Sequence, residues 1–113
     1  MRVLNTSRGS QLCRVCVRAR SFLTRARGLM GSRTLPEGKG LLLEPCNSVH
    51  TCFMRYPIDV VFIKERTIIG IVQNLAPWRL SPVFWGATCA LELPAGTVAL
   101  TSTKLGDEIE LTS

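Results

Sequence analysis

The chain has 113 residues, of which 46% are hydrophobic and 19% charged. This composition excludes a disordered chain and suits one domain with one core, so we expect a single domain over residues 1–113. No apolar run approaches the ~18 residues of a membrane helix, and the start lacks the apolar stretch of a signal peptide. An odd count of five cysteines argues against a disulfide framework. We therefore expect a soluble, cytoplasmic protein.

The charge is unevenly distributed along the chain. Residues 1–36 contain eight arginines and no acidic residue, whereas the remainder contains six basic and eight acidic residues. An Arg-rich segment without acids attracts phosphate-rich partners, so binding of nucleic acid or an anionic surface is one alternative function. We favour the simpler interpretation, in which these arginines are solvated or pair with the later carboxylates.

The first predicted element is a strand, followed by a helix. The stretch "QLCRVCVRA" alternates between apolar and polar positions, which predicts one strand with one buried face. A three-residue step along a strand reverses the side-chain direction, so Cys13 and Cys16 are expected on opposite faces, unable to pair or share an ion. Residues 19–31 place apolar side chains at helical spacing, which predicts a helix near the N-terminus.

The remaining chain predicts a series of short strands. These are "LLLE", "SVHTCFM", a hairpin in "IDVVFIKERTIIGIVQNL" that turns near Glu65 and Arg66, "TCALELPAG" and "GDEIEL". The segment "APWRLSP" predicts an irregular loop, and "TVALTSTKL" predicts a short helix or a loop. Short connections favour antiparallel pairing. The expected fold is mainly β (α+β): a small curled antiparallel or mixed sheet, or a barrel-like sheet, with one N-terminal helix.

Four blocks resemble a known family. In order, they are "RARGLMGSRTLPEGKGLLL", "NSVHTCFMRYPIDVVFI", "ALELPAG" and "GDEIEL", and the likeness extends from about Val3 to Leu111. They resemble the domain-of-unknown-function family 192 of small bacterial and archaeal proteins. The resemblance implies a mainly β fold with one N-terminal helix and brings no settled activity. The matching positions are Arg25, Gly28, Leu29, Met30, Met54, Arg55, Pro57, Asp59, Phe62, Leu91, Glu92, Pro94, Gly96, Gly106 and Asp107. The chain departs from the pattern at Ser32, where an arginine is usual, and at Cys52, where an aromatic is expected; we expect Cys52 to fill an apolar position.

The single histidine, His50, lies between Cys46 and Cys52. The spacing C-x3-H-x-C is not a standard zinc pattern and leaves the fourth ligand of a structural site unassigned. A thiol nucleophile would need a base and a third group that orients it, and no such group is evident. A metal- or thiol-dependent enzyme is therefore kept as an alternative, and we assign no catalytic residue, metal ligand or cofactor.

Asp59 begins the apolar run "VVFI", so its carboxylate is expected at the edge of the core. A charge there must be paired or hydrogen-bonded. The available cations are Arg25, Arg27 and Arg55, and a bidentate pair with one of them would satisfy the carboxylate. The structural interpretation, which we favour, is a buried pin that holds the helix against the sheet.

The functional interpretation is a polar pocket that binds a small anion. We expect it to contain Arg27, His50, Arg55 and Asp59, flanked by Trp78. Both tryptophans lie on or beside a Pro-rich loop, where they either contact a ligand or fold over the end of the sheet. The sequence therefore favours a small binding or accessory domain with an anion-accepting pocket.

Overall fold

A computed structural model of the chain describes residues 1–19, 35–52 and 54–112. The strands are β1 (Arg2–Asn5), β2 (Ser10–Cys13), β3 (Val15–Ala19), β4 (Lys39–Leu43), β5 (Ile58–Lys64), β6 (Thr67–Leu75), β7 (Cys89–Pro94) and β8 (Ile109–Thr112), and helix α1 spans Thr97–Leu100. The expected mainly β fold is confirmed. The predicted N-terminal helix falls almost entirely on residues outside the described ranges. Within those ranges, no helix is long and apolar enough to cross a membrane.

Five strands form the larger sheet, in the order β3-β4-β7-β5-β6. The predicted hairpin is confirmed: β5 and β6 pair antiparallel, and the chain turns at Glu65 and Arg66, with Glu65 at a φ of 58°. All neighbouring strands are antiparallel except β3 and β4. Parallel strands need a long connection, and residues 20–38 provide one.

Three strands form the smaller sheet, in the order β2-β1-β8. Strand β1 was not predicted, because its four residues are too few to show a periodic pattern. It forms because it pairs on one side with β2 and on the other with β8, from the far end of the chain. Both sheets are open, so the described strands do not close into a barrel.

The central strands of the larger sheet are buried on both faces, which explains why β5 reads as a nearly continuous apolar run. One face packs against the smaller sheet, where Val3 and Ile109 join Leu42 and Leu91 in one cluster. The other face is covered by the loop of residues 44–57 (the first loop) and the loop of residues 76–88 (the second loop). Their buried side chains, with the sheet residues they cover, form a second cluster.

The second loop is attached to the sheet by Phe84. Its ring stacks on Phe62 of β5, with ring centroids 4.3 Å apart. Gly70 pairs with Phe62 across the hairpin, and a methyl group at Gly70 would overlap the Phe84 ring. The absence of a side chain at Gly70 therefore allows the loop to lie directly on the sheet.

The predicted strand "QLCRVCVRA" is two strands that belong to different sheets. The backbone bends at Arg14, where the N–H groups of Arg14 and Val15 both donate to the carbonyl of Gly38, at 2.7 and 3.1 Å. The prediction that Cys13 and Cys16 lie on opposite faces is therefore wrong. Both are buried in the same core cluster. Alternation continues on either side of the bend, so the sequence pattern gives no sign of it.

The smaller sheet is connected to the turn before β8 by a polar network around Asp107. Its carboxylate accepts hydrogen bonds from the Asn5 amide at 3.0 Å, the Lys104 N–H at 2.9 Å and the Arg8 guanidinium at 3.0 Å. The hydrogen bond from Arg8 is the main cause that lowers the pKa of Asp107 to about 2. The network therefore favours the charged carboxylate.

This low pKa predicts a loss of stability in acid. A carboxyl group whose pKa is lower in the folded than in the unfolded chain stabilises the fold above its ordinary pKa, and this contribution is lost as the pH falls through the folded value. We therefore expect the stability difference between wild type and Asp107→Asn to shrink as the pH falls from about 4 to about 2. Urea unfolding at several pH values measures it. Glu110→Gln, an exposed change, serves as the control, and parallel stability curves for wild type and Asp107→Asn would contradict the assignment.

Candidate functional site

Asp59 lies in the interior and is 1% exposed. One carboxylate oxygen accepts the Asn74 N–H at 2.9 Å, and the other accepts the Gly96 and Val98 N–H groups at 3.1 and 2.9 Å. A buried carboxylate must be compensated, and in the described residues the donors are backbone amides, where the sequence suggested arginine. Asp59 therefore connects β5 to β6 and to α1, a broader role than the expected pin between one helix and the sheet.

Helix α1 depends on Asp59 for its N-terminal cap. The cap position is Gly96, which has a φ of 96° and no side chain that could accept a hydrogen bond. The second helical N–H, from Val98, donates instead to Asp59. A capping carboxylate normally comes from the cap residue itself. Here it comes from a strand far away in sequence, so the helix is capped only when the sheet is folded.

A β-bulge directs the Asn74 amide at Asp59. Ile58 pairs with Leu75 and Val60 with Val72, so one residue of β5 lies opposite two residues of β6. The extra residue bends the strand, and Asn74 adopts a φ of 54°, which asparagine tolerates better than most residues.

A shallow pocket of about 330 Å³ lies beside Asp59. It is lined by Asp59, Gln73, Asn74, Ala95, Gly96 and Ala99. The lining does not include His50, Arg55 or Trp78, and Arg27 lies outside the described residues. Asp59 therefore lies in a pocket that those three predicted site residues do not line.

Thr51 holds the two loops together. Its N–H donates to the Arg79 carbonyl at 2.9 Å, and its hydroxyl donates to the Ala76 carbonyl at 2.6 Å. The same hydroxyl accepts the Arg79 N–H at 2.9 Å, and the Thr51 carbonyl accepts the Trp78 N–H at 3.0 Å. Because Thr51 is fully buried, these bonds are shielded from water. Thr51 thus helps to fix the relative position of the first and second loops, together with the hydrogen bonds between Val49 and Ser81.

His50 precedes Thr51 and forms an isolated antiparallel bridge with Leu80. Directly paired residues point to the same side, so the imidazole lies beside the exposed Leu80 side chain. The Cys52 N–H donates to Nδ1 of His50 at 3.3 Å, which leaves Nε2 to carry the proton of the neutral ring. Among its described residues, 48–52 and 54, the predicted strand "SVHTCFM" forms only at this bridge, because the chain turns at Cys52. Cys52 is half-buried and belongs to neither core cluster.

Trp78 lies at the surface and has an uncommon backbone conformation. Its φ is 61°, in the left-handed region, and its side chain is 59% exposed. Arg79 follows it, and Arg55 is also exposed. Trp85 is 83% exposed, and Phe84 is the residue of this loop whose ring stacks on the sheet, so contact of the tryptophans with a ligand stays a prediction.

Another buried acid lies on the face of the larger sheet that the loops cover. Glu92 of β7 is fully buried between β4 and β5. Burial, together with the charge of Glu92, raises the pKa of Tyr56 in the first loop. The sequence matched Glu92 to a family block but did not predict a buried charge. The pattern "ALELP" is also typical of a strand whose acidic side chain points to solvent.

Metal binding has no support from the described part of the chain. Within residues 1–19, 35–52 and 54–112, no three His, Cys, Asp or Glu side chains are grouped so that they could hold an ion.

Comparison with known proteins places the chain among related sequences. A family profile described as "Uncharacterized ACR" matches residues 3–111. A UPF0127 protein of Pyrococcus furiosus is 32% identical over 96% of both chains. A UPF0127 protein of Thermococcus sibiricus is 29% identical over 81% of this chain, which spans 62% of that relative.

Two crystal structures have a similar fold. A protein of unknown function from Novosphingobium aromaticivorans superposes with a TM-score of 0.79 at 24% identity, over 97% of this chain and 82% of that one. A structure from Sinorhizobium meliloti, titled a putative transcription regulator, gives a TM-score of 0.76 at 27% identity, over 96% and 89% of the two chains.

Replacing Asp59 by asparagine is expected to destabilise the protein. An amide side chain has one acceptor oxygen and would direct its NH₂ group at backbone donors. Each hydrogen bond to a charged group contributes about 1.5–3 kcal/mol, so we expect a loss of at least that size in the free energy of unfolding. Urea denaturation of Asp59→Asn measures it, with the exposed change Glu65→Gln as control. Equal stability of the two variants would contradict the role of Asp59.

The single tyrosine provides a second test. We expect the Tyr56 phenol to titrate above its ordinary pKa of 10.0 in the folded chain, and Glu92→Gln to lower this pKa while burial keeps it raised. A group with a raised folded pKa stabilises the fold below its unfolded pKa and loses that contribution as the pH rises through the folded value. Absorbance of the phenolate follows the titration, with Glu44→Gln as control. An ordinary titration of folded wild type would disprove this environment.

Proposed function

We propose from its geometry that this chain, which belongs to the DUF192 family of uncharacterized proteins, is a binding or accessory domain for a small anionic ligand. The proposed site is the surface of His50, Arg55, Trp78 and Arg79, which we call the loop-pair surface. Arg27 stays a predicted member that lies outside the described residues.

The observation that carries the proposal is the backbone of Trp78. A bulky residue at a positive φ is uncommon, and such strain costs on the order of 1–3 kcal/mol. Here the conformation is held by the hydrogen bond from the Trp78 N–H to Thr51 and places a large aromatic side chain in solvent. Strained residues of this kind cluster at binding and catalytic sites. An indole that a fixed backbone holds 59% exposed is suited to contact with a ligand.

The side chains near Trp78 in sequence and in the loops favour binding of an anion. The guanidinium groups of Arg55 and Arg79 are exposed and can form paired hydrogen bonds with a carboxylate or a phosphate. His50 stays a proposed member of this surface, and its Nδ1 accepts the Cys52 N–H. The Trp78 ring suits a flat group on the same ligand. We therefore favour an anion that carries an aromatic or other planar part.

Asp59 supports this site from a distance. Its carboxylate repels an anion, and its oxygens already accept three amides. By fixing Asn74 it sets where β6 ends, and Ala76, two residues later, accepts from Thr51. Its place in the proposal is to position the second loop.

Nucleic-acid binding through the arginines of residues 1–36 is the rival function. The Sinorhizobium structure is titled a putative transcription regulator, which raises this question for the present chain. Among the described arginines, however, Arg8 pairs with Asp107 at 3.0 Å and Arg18 lies 3.5 Å from Glu44. These pairs support the interpretation that the arginines partner the chain's own carboxylates.

The test is a calorimetric titration with inorganic phosphate and with a nucleoside monophosphate, which adds a planar ring. We expect the double variant His50→Ala/Arg55→Ala to bind both probes at least about tenfold more weakly, since one lost charge-assisted hydrogen bond is worth that much. Trp78→Ala is expected to weaken binding of the nucleotide and leave that of phosphate nearly unchanged.

The matched control is Lys64→Ala/Arg66→Ala, which removes two exposed cations at the β5–β6 turn. It should retain the wild-type affinity. Equal affinity in the His50/Arg55 variant, or no binding of either probe by wild type, would exclude the anion site. Tight binding of a DNA duplex that weakens steeply with salt would favour the rival function.

A further inference from the structure

Cys13 and Cys16 form a pair of buried thiols at the junction of the two sheets. Cys13 ends β2 of the smaller sheet, and Cys16 lies in β3 of the larger one. They are 1% and 6% exposed, respectively, and belong to the same core cluster. The bend at Arg14 is what brings them together.

Gly40 makes room for this pair. It is the partner of Cys16 in the parallel pairing of β3 and β4. A Cβ atom at Gly40 would lie 3.1 Å from the sulfur of Cys13, closer than most such contacts. The sulfur of Cys13 therefore lies over the residue that neighbours Cys16 in the sheet, which is independent evidence that the two thiols are adjacent.

We propose that Cys13 and Cys16 form a reversible disulfide by exchange with a low-molecular-weight disulfide. The Cys16 thiolate attacks one sulfur of the reagent, giving a mixed disulfide and releasing one thiolate. The Cys13 thiolate then attacks Cys16, releasing the second thiolate. Overall, two cysteine thiols lose two electrons and two protons, and one disulfide is reduced to two thiols.

The order of attack follows from the environment of each sulfur. Interaction with the Cys13 thiol lowers the pKa of the Cys16 thiol, whereas the same interaction and burial raise the pKa of Cys13. An attacking cysteine with a lowered pKa beside a buried partner suits thiol–disulfide exchange. Cys89, in the same cluster, has its pKa raised to about 11 by burial, so it is expected to be inert.

Access does not require global unfolding. Among the described strands, β3 lies at the edge of the larger sheet, and Val15 and Val17 on either side of Cys16 are exposed. Local detachment of an edge strand opens the pair to a small reagent. Once formed, the disulfide would join the smaller sheet covalently to the larger one.

Peptide mapping of the wild-type chain tests the proposal directly. The native protein is equilibrated with glutathione and glutathione disulfide at several ratios, quenched with acid, alkylated and digested with trypsin. Because Arg14 lies between the two cysteines, their disulfide would link peptide 9–14 to peptide 15–18, and neither contains another cysteine. We expect this linked species to rise with the disulfide fraction and to disappear again on reduction.

Single variants test the order of attack. In Cys13→Ala, Cys16 is expected to retain one glutathione, whereas in Cys16→Ala, Cys13 should stay unmodified; Cys89→Ala should still form the linked peptide. Absence of the linked peptide at every ratio, or its appearance only in denaturant, would overturn the proposal. Circular dichroism checks that each variant is folded. The peptide-mapping test on the wild-type chain does not depend on the variants.

Discussion

The structure depends on one buried carboxylate that satisfies three backbone amides from two separate parts of the chain. Asp59 accepts from Asn74 at the end of β6 and from Gly96 and Val98 at the start of α1. A buried charge without partners costs several kcal/mol, and amides left without acceptors are costly too, so each group stabilises the other only in the complete fold. This mutual dependence fixes the β-bulge, the cap of the short helix and the point at which the chain leaves the sheet.

The candidate binding surface follows from that geometry. The second loop starts where β6 ends and is also held by Thr51 near its beginning and by Phe84 near its end. Between them, Trp78 adopts a backbone conformation that an isolated loop would avoid. A loop fixed at several points presents its side chains with little loss of conformational entropy on binding, which suits a recognition surface.

Elements determined by local pattern were predictable, and elements determined by distant contacts were not. The β5–β6 hairpin and β7 are apolar runs ended by turn residues, and both appear as expected. Strand β1 and the bend at Arg14 depend on partners remote in sequence, so alternation alone could not reveal them. The burial of Asp59 was foreseen from its place before an apolar run. Its amide partners were not, because they arise from a bulge and a glycine whose conformations only the folded sheet defines.

Hydrogen exchange by NMR measures the role of Asp59 most directly. The amides of Asn74, Gly96 and Val98 belong to different elements, yet all three donate to one side chain. In folded wild type they should be protected together, and in folded Asp59→Ala all three should exchange much faster while the Leu91 amide in the sheet centre keeps its protection. Unchanged protection of the three amides in that variant would show that the carboxylate does not hold these segments in place.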